Sequence, residues 1–180
     1  MILEGILERS GLRKGEEYEV QMTRHEDGSV IRNDQDEALR PDVVVRFPEG
    51  RVVVIDSKMS LTAFVDYVNA DDEAVRREAL DRHLRSVRSH VKELAKKKYQ
   101  DFIGQQKLDF VMMFMPNEGA YAAAMQADST LWQDAYEQRV LIVSPTHLVS
   151  ALKLIEQLWV RDRQTRNAIA IADAAGSLYD

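Results

Sequence analysis

The sequence of 180 residues has no cysteine, which excludes disulfides, thiol nucleophiles and thiolate metal sites. Its four histidines are too few and too scattered for a histidine-rich metal centre. No apolar run approaches the roughly 18–20 residues that cross a membrane. No basic segment followed by an apolar one begins at Met1, so we expect no signal peptide and a cytoplasmic protein. A Gly-rich phosphate loop is also lacking, which argues against an ATPase.

The remaining composition is that of one globular domain. Hydrophobic residues make up 45% of the chain and charged residues 30%, which is typical of a soluble α/β or α+β protein of this length. The formal net charge is -6, so the average field of the protein repels nucleic acid. Any binding to DNA must therefore rest on a local basic surface.

Periodicity and turn residues predict the element order αβββαβαβα, a mixed α/β sheet with helices on both faces. A polar stretch over 25–39 is expected to be a loop. The predicted helices cover 2–9, 71–99, 129–137 and 146 to about 172, and the predicted strands cover 18–23, 43–47, 51–55, 109–115 and 140–143.

Two valine-rich strands are separated by Pro48-Glu49-Gly50, a pattern that predicts a β-hairpin buried on both faces. If Phe47 faces Arg51 across this loop, Asp42 lies opposite Asp56. Side chains opposed in this way have Cβ atoms about 4.5–5.5 Å apart. Lys58 lies two residues beyond Asp56 and therefore shares its face.

Two carboxylates this close repel each other and need a shared proton, an ammonium group or a divalent cation. Oxygen ligands select hard ions such as Mg²⁺ or Mn²⁺. Such an ion would lower the pKa of a bound water beside a phosphodiester, and Lys58 would orient that water or neutralise developing charge. The alternative is a purely structural cluster of Asp42, Asp56 and Lys58. If the carboxylates merely repel, Asp56→Asn should stabilise the metal-free domain by up to about 1 kcal/mol.

Pro41-Asp42 followed by Asp56-Ser57-Lys58 resembles the motif of the PD-(D/E)XK nuclease superfamily. A wider match resembles the RmuC family of DNA recombination proteins, which have a nuclease-like domain, over nearly the whole chain. That match rests on Arg40-Pro41-Asp42-Val43-Val44, Val54-Ile55-Asp56-Ser57-Lys58, Lys97-Lys98-Tyr99, Phe114-Met115-Pro116-Asn117-Glu118-Gly119 and Leu178-Tyr179-Asp180.

The resemblance implies a restriction-endonuclease-like αβββαβ core with additional C-terminal helices. It implies that Asp42, Asp56 and the main-chain carbonyl of Ser57 bind the metal, and that Lys58 assists the nucleophilic water. RmuC-like sequences tend to carry a Trp-Gly-Glu just before the segment that matches Ile2 to Glu8, and this sequence starts at Met1. Glu4, one helical turn later on the same face, is the substitute candidate.

RmuC-like proteins usually also carry an N-terminal membrane anchor or coiled coil. We therefore expect residues 1–180 to be one domain of a longer protein. Any homo-oligomer would form through coiled coils outside this sequence, and we expect no membrane contact from this segment.

The predicted long helix carries seven basic residues and one acid, Glu93, between positions 82 and 98. This local excess makes the helix the candidate DNA-binding surface, although it is equally compatible with a solvated helix. Glu118, after a strand-ending proline, is a further cleft candidate, or else an acid that caps the following helix. The candidate DNA contacts are His83, His90, Arg88, Lys96, Lys97 and Lys98.

The sequence thus predicts a Mg²⁺- or Mn²⁺-dependent deoxyribonuclease domain acting in DNA recombination, with DNA as its partner and no small-molecule cofactor beyond the metal. Two alternatives remain open. One is a nucleic-acid-binding domain that cleaves slowly or not at all. The other is a scaffold domain whose acidic pair is structural.

Overall fold

Five strands form one mixed sheet in the computed structural model, which describes residues 2–20, 41–57 and 59–179 except for the side chains of 101 and 102. The sheet order is β1-β2-β3-β4-β5, antiparallel through β3 and parallel from β3 to β5. The strands are β1 (Tyr18–Val20), β2 (Val43–Arg46), β3 (Arg51–Asp56), β4 (Lys107–Phe114) and β5 (Val140–Val143).

Helices cover both faces of this sheet, which confirms the predicted mixed α/β sheet, while the restriction-endonuclease-like core stays a prediction. They are α1 (Ile2–Glu8), α2 (Thr62–Asn69), α3 (Glu73–Lys96), α4 (Tyr99–Phe102), α5 (Glu118–Ala127), α6 (Leu131–Glu137) and α7 (Pro145–Ser177). The predicted loop over 25–39, the end of the first predicted strand and Lys58 lie outside the described residues.

Alternating side chains of β2 and β3 supply two separate cores. Val44 and Val54 pack with α3, α5 and α6 on one face, here called the α3 face. Val43, Val45 and Ile55 pack with α1 and α7 on the other, the α7 face. Because successive strand residues point to opposite faces, this alternation also determines on which face the side chains at the ends of β2 and β3 lie.

The β2–β3 hairpin has the predicted register. Val43 pairs with Ile55 and Arg46 with Val52, and Phe47 N donates to the Arg51 carbonyl (2.7 Å). A 3-10 turn over Pro48–Gly50 closes the loop, with Gly50 at a φ of 72°. Glycine adopts this left-handed conformation without steric cost, so the three-residue turn is compatible with an unshifted ladder.

Several predicted boundaries need correction. Helix α3 begins at Glu73 rather than residue 71, because the Asp72 side chain accepts hydrogen bonds from Ala74 N and Val75 N. Helix α7 is capped by Ser144 and not by Thr146. Helices α2, α4 and α5 were not predicted as separate elements, and the helix predicted to reach residue 99 ends at Lys96. In the described part of the chain, no helix is both long and apolar enough to cross a membrane.

Candidate active site

Asp42 and Asp56 flank the last residue pair of the β2–β3 ladder. Asp42 immediately precedes β2 and Asp56 ends β3, each one position beyond the Val43–Ile55 pair. Both lie two residues from valines of the α3 face, so their side chains belong to that face. The carboxylate of Asp56 is fully buried and that of Asp42 is partly buried. The hairpin therefore places the two acids on the same face at the end of the ladder, in the predicted register.

Asp42 is tied to the segment that follows β3. Its Oδ2 accepts hydrogen bonds from Ser57 N (2.8 Å) and from Ser57 Oγ (3.0 Å). These bonds extend the contact between the strands beyond the backbone ladder. The family resemblance assigns a role only to the main-chain carbonyl of Ser57. The structure shows that the Ser57 hydroxyl also has a structural role, because it holds Asp42.

Asp56 faces His90 of α3 and Lys97, the residue that follows α3. His90 Nε2 donates to Asp56 Oδ1 (3.2 Å), and Lys97 Nζ lies 3.7 Å from Asp56 Oδ2. His90 Nδ1 lies 3.4 Å from Glu93 Oε2. The hydrogen bond to Asp56 is the main reason why the pKa of His90 is raised, with Glu93 adding to the effect and burial opposing it. The Lys97 ammonium and the hydrogen bond from His90 therefore offset the burial of this carboxylate.

Tyr99 completes the buried wall beside the carboxylates. Its side chain is fully buried, and its hydroxyl has no hydrogen-bond partner within the described residues. Burial raises the pKa of Tyr99, and the negative charges of Asp56 and Asp42 raise it further. The Lys97 ammonium lies 5.8 Å from the centre of the Tyr99 ring. Tyr99 is thus a neutral, buried phenol within the field of both acids.

The donor set of this site is compatible with Mg²⁺. Two carboxylates on one face and a main-chain carbonyl are oxygen ligands, and Mg²⁺ commonly binds one or two carboxylates and keeps several waters. Over residues 2–20, 41–57 and 59–179, no group of three or more histidine or acidic side chains is placed to hold a metal ion. The described residues therefore fit a hydrated hard ion and not an all-protein cage.

Two further predicted catalytic residues, Lys58 and Glu4, are not found beside Asp42 and Asp56 among the described residues. Lys58 lies outside the described residues, so its predicted role stays a prediction. Glu4 lies on α1, whose buried Leu3 and Leu7 pack on the α7 face. The helix that carries Glu4 is therefore on the opposite side of the sheet from the face of Asp42 and Asp56.

The predicted DNA contact by His83 needs correction. His83 is fully buried, and its Nε2 donates to the Ala120 carbonyl (2.9 Å). The imidazole also packs against Phe64, with ring centres 5.6 Å apart. A side chain in this position joins α3 to α5 and cannot meet a phosphate at the surface.

Arg88 is engaged by two acids of the α5–α6 region. Its guanidinium donates to Asp134 Oδ2 (2.8 Å) and to Asp128 Oδ2 (3.0 Å from Nε). The hydrogen bonds to these acids raise the pKa of Arg88. The positive charge is thus already neutralised, which does not favour the predicted contact with DNA. Lys96, Lys97 and Lys98 are exposed at the end of α3.

Glu118 bridges two helices. It begins α5, and its Oε1 accepts a hydrogen bond from Thr146 N (2.6 Å) in the first turn of α7. Hydrogen bonds from Thr146 and Ser144 and the nearby His147 lower the pKa of Glu118. Glu118 therefore bonds to the start of α7, although it belongs to α5. This contact does not place Glu118 at the carboxylate pair.

Sequence reasoning named His90 and Lys97 only as DNA contacts and missed their position beside Asp56. The signal was present, since residues seven apart lie on nearly the same helix face. Tyr99 was missed as a site residue, because burial of one hydroxyl cannot be inferred from periodicity.

Comparisons with known proteins agree over the whole chain. The model of the RmuC family matches residues 1–180. A DNA recombination protein RmuC homolog of Pseudomonas aeruginosa is 46% identical over 180 residues, which are 100% of this chain and 38% of the relative. A homolog from Neisseria meningitidis serogroup A is 44% identical over 183 residues, covering 100% of the chain and 30% of the relative. The DNA recombination protein RmuC of Escherichia coli K12 is 44% identical over 180 residues, with coverages of 100% and 36%.

The chain thus spans about a third of the length of these relatives. No solved structure matches it.

Proposed function

The chain belongs to the RmuC family, and from this premise we propose that it acts on DNA in recombination as a divalent-metal-dependent phosphodiesterase. The observation that carries the proposal is the carboxylate pair of Asp42 and Asp56 on one face of the hairpin, beside His90 and Lys97. The relatives are named as DNA recombination proteins. Since the chain spans about a third of their length, the activity of the whole protein is part of this proposal.

Asp42, Asp56 and the Ser57 carbonyl would hold Mg²⁺ or Mn²⁺. When bound, such an ion lowers the pKa of a water and stabilises charge on the phosphodiester. Ser57 orients Asp42 through two hydrogen bonds, and His90 orients Asp56. These contacts keep both carboxylates in a fixed geometry before any ligand arrives, which is the usual requirement for efficient catalysis.

Two lysines have separate roles in this proposal. Lys97 has a side chain that is 40% exposed while its Nζ lies near Asp56, so its ammonium can meet a phosphate at the edge of the site. Lys58 follows Asp56 by two positions, and from the family resemblance we assign it to the nucleophilic water.

A second candidate function is DNA binding without cleavage, or a scaffold role. It is favoured by the two cationic partners that Asp56 already has. It is also favoured by the lack, within the described ranges, of a third acidic or histidine ligand. An Asp56 held by His90 and Lys97 would be a structural ion cluster.

Nicking of supercoiled plasmid by the purified chain, with Mg²⁺ or Mn²⁺ and with EDTA, separates these functions. We expect nicking in the presence of metal that is lost in Asp56→Asn and in Lys58→Ala. Asp162→Asn is a matched control, because Asp162 pairs with Arg166 on α7, the helix on the opposite face. Nicking that persists in Asp56→Asn would come from a contaminant. No metal-dependent nicking by the wild-type chain would leave the binding function as the better account.

A further inference from the structure

A cleft of about 840 Å³ opens where the C-terminal end of α3 meets the starts of β4 and β5. Its walls are the C-terminal end of α3 with the residues that follow, the first half of β4 and the α6–β5 connection. This volume lies in the upper range for sites that hold small ligands. Lys97 and Tyr99 line the cleft, and Lys97 Nζ also lies 3.7 Å from Asp56 Oδ2. These two side chains link the cleft to the candidate active site, whereas Asp56 itself pairs with Met113 near the other end of β4.

The cleft is positively charged although the protein is acidic overall. Lys97, Lys98 and Arg139 line it, and Lys97 also faces Asp56 outside the cleft. The acid among the lining residues, Asp109, is paired with Arg51 at 2.8 Å. The local excess of positive charge therefore suits a polyanion, and the net charge of -6 makes it a local feature of this surface.

Aromatic rings continue from the cleft onto α6. Phe110 lines the cleft, and its ring centre lies 5.4 Å from that of Tyr136. Tyr136 is 49% exposed, and Trp132, one helical turn earlier, is 58% exposed. Large aromatic side chains left open to solvent beside basic groups are the pattern on which unpaired bases stack.

We propose that this cleft binds an unpaired strand of DNA and delivers it to the carboxylate pair. The basic residues would follow the phosphates, and Phe110, Tyr136 and Trp132 would stack with bases. A base pair inside a duplex is already stacked on its neighbours and offers no ring face to these side chains. The inference rests on the proposed action on DNA and adds the substrate class, namely single strands and unpaired ends.

The test is binding by fluorescence anisotropy in EDTA, where no cleavage occurs. The probes are a labelled oligothymidylate of about 16 nucleotides and a duplex of the same length. We expect the single strand to bind at least about tenfold more tightly than the duplex. Tyr136→Leu, which keeps an apolar contact with Phe110, should weaken single-strand binding about tenfold, since one stacked base contributes roughly 1–3 kcal/mol.

Matched controls separate local effects from general ones. Arg139→Gln should reduce the slope of log K against log salt by about 0.7, whereas Arg161→Gln on α7 should leave it unchanged. Tyr179→Leu, at a residue that is 92% exposed beyond α7, should not alter affinity. The chain has two tryptophans, so Trp132→Phe should abolish the change in tryptophan fluorescence that DNA produces.

Equal or tighter binding of the duplex would overturn the inference, as would no binding of the single strand. Unchanged affinity in Tyr136→Leu together with an unchanged salt slope in Arg139→Gln would overturn it as well. If the wild-type chain nicks plasmid but the binding results are those just described, the proposed nuclease function stands. Only the proposal that the cleft binds single-stranded DNA then fails. If nicking is absent but the single strand binds as expected, the cleft assignment stands without the nuclease.

Discussion

His90 holds the fully buried carboxylate of Asp56, with Nε2 donating to Oδ1 over 3.2 Å between α3 and the end of β3. We expect His90→Phe to lower the free energy of unfolding by about 1–3 kcal/mol, because a buried acceptor loses its donor. His90→Gln should cost less, since its amide can still donate. Urea denaturation of the metal-free protein in EDTA measures both. Equal stability of His90→Phe and wild type would contradict this role of His90.

Asp56→Asn should destabilise the metal-free protein by about 1–2 kcal/mol. From the sequence alone we expected stabilisation from relief of the repulsion between the acids, with destabilisation as the alternative if Lys58 already neutralised the pair. The structure reverses that expectation, since His90 and Lys97 both face Asp56, and the amide gives up the charge-assisted contacts with them. The measurement is the urea midpoint in EDTA. Asp162→Asn, in an ion pair on the surface of α7, is the control and should change stability by less than about 0.5 kcal/mol.

The hairpin and its acids could be predicted from the sequence because the information is local. Valine runs on both sides of a three-residue turn leave few registers, and the alternation of side chains places Asp42 and Asp56 on one face. The contacts of Asp56 could not be predicted, because they depend on how α3 crosses the sheet. For the same reason His83 was expected at the surface although it is buried under α5.

Helices α2 and α5, which were not predicted, have no fully buried large apolar residue. Helix α5 contributes Ala120 and Ala124 to the core, and alanine gives a weak hydrophobic pattern although it is the best helix former. Helix α2 has no fully buried residue within Thr62–Asn69, and its β-branched and aromatic residues have only moderate helix propensity.

Tyr99→Phe should stabilise the metal-free protein by up to about 1 kcal/mol. The Tyr99 hydroxyl is buried without a hydrogen-bond partner in the described ranges, so removing it relieves an uncompensated desolvation cost. Thermal unfolding in EDTA measures the effect, and Tyr179→Phe, at a highly exposed position, should be neutral. A lower melting temperature for Tyr99→Phe would mean that the hydroxyl has a partner in solution. If the hydroxyl is retained for activity, the same substitution should slow plasmid nicking while it raises stability.

Asp128→Asn should lower stability at neutral pH by about 1 kcal/mol, because Asp128 accepts hydrogen bonds from Arg88 and so joins α3 to the start of α6. The hydrogen bond from Arg88 is the main cause that lowers the pKa of Asp128 below its ordinary value of 3.8. A carboxyl group with a lowered pKa in the folded state stabilises the protein above that ordinary value. The contribution is lost as the pH falls through the folded-state pKa.

The difference in unfolding free energy between wild type and Asp128→Asn should therefore be constant from about pH 7 to pH 5 and shrink below about pH 4. Urea denaturation at several pH values measures it, with Asp162→Asn as the control for an ion pair within a single helix. A difference that grows on acidification would require a folded-state pKa above the ordinary value and would contradict the Arg88 contact as its cause. A difference that is negligible at neutral pH would mean that the pair is too solvated to stabilise the α3–α6 contact.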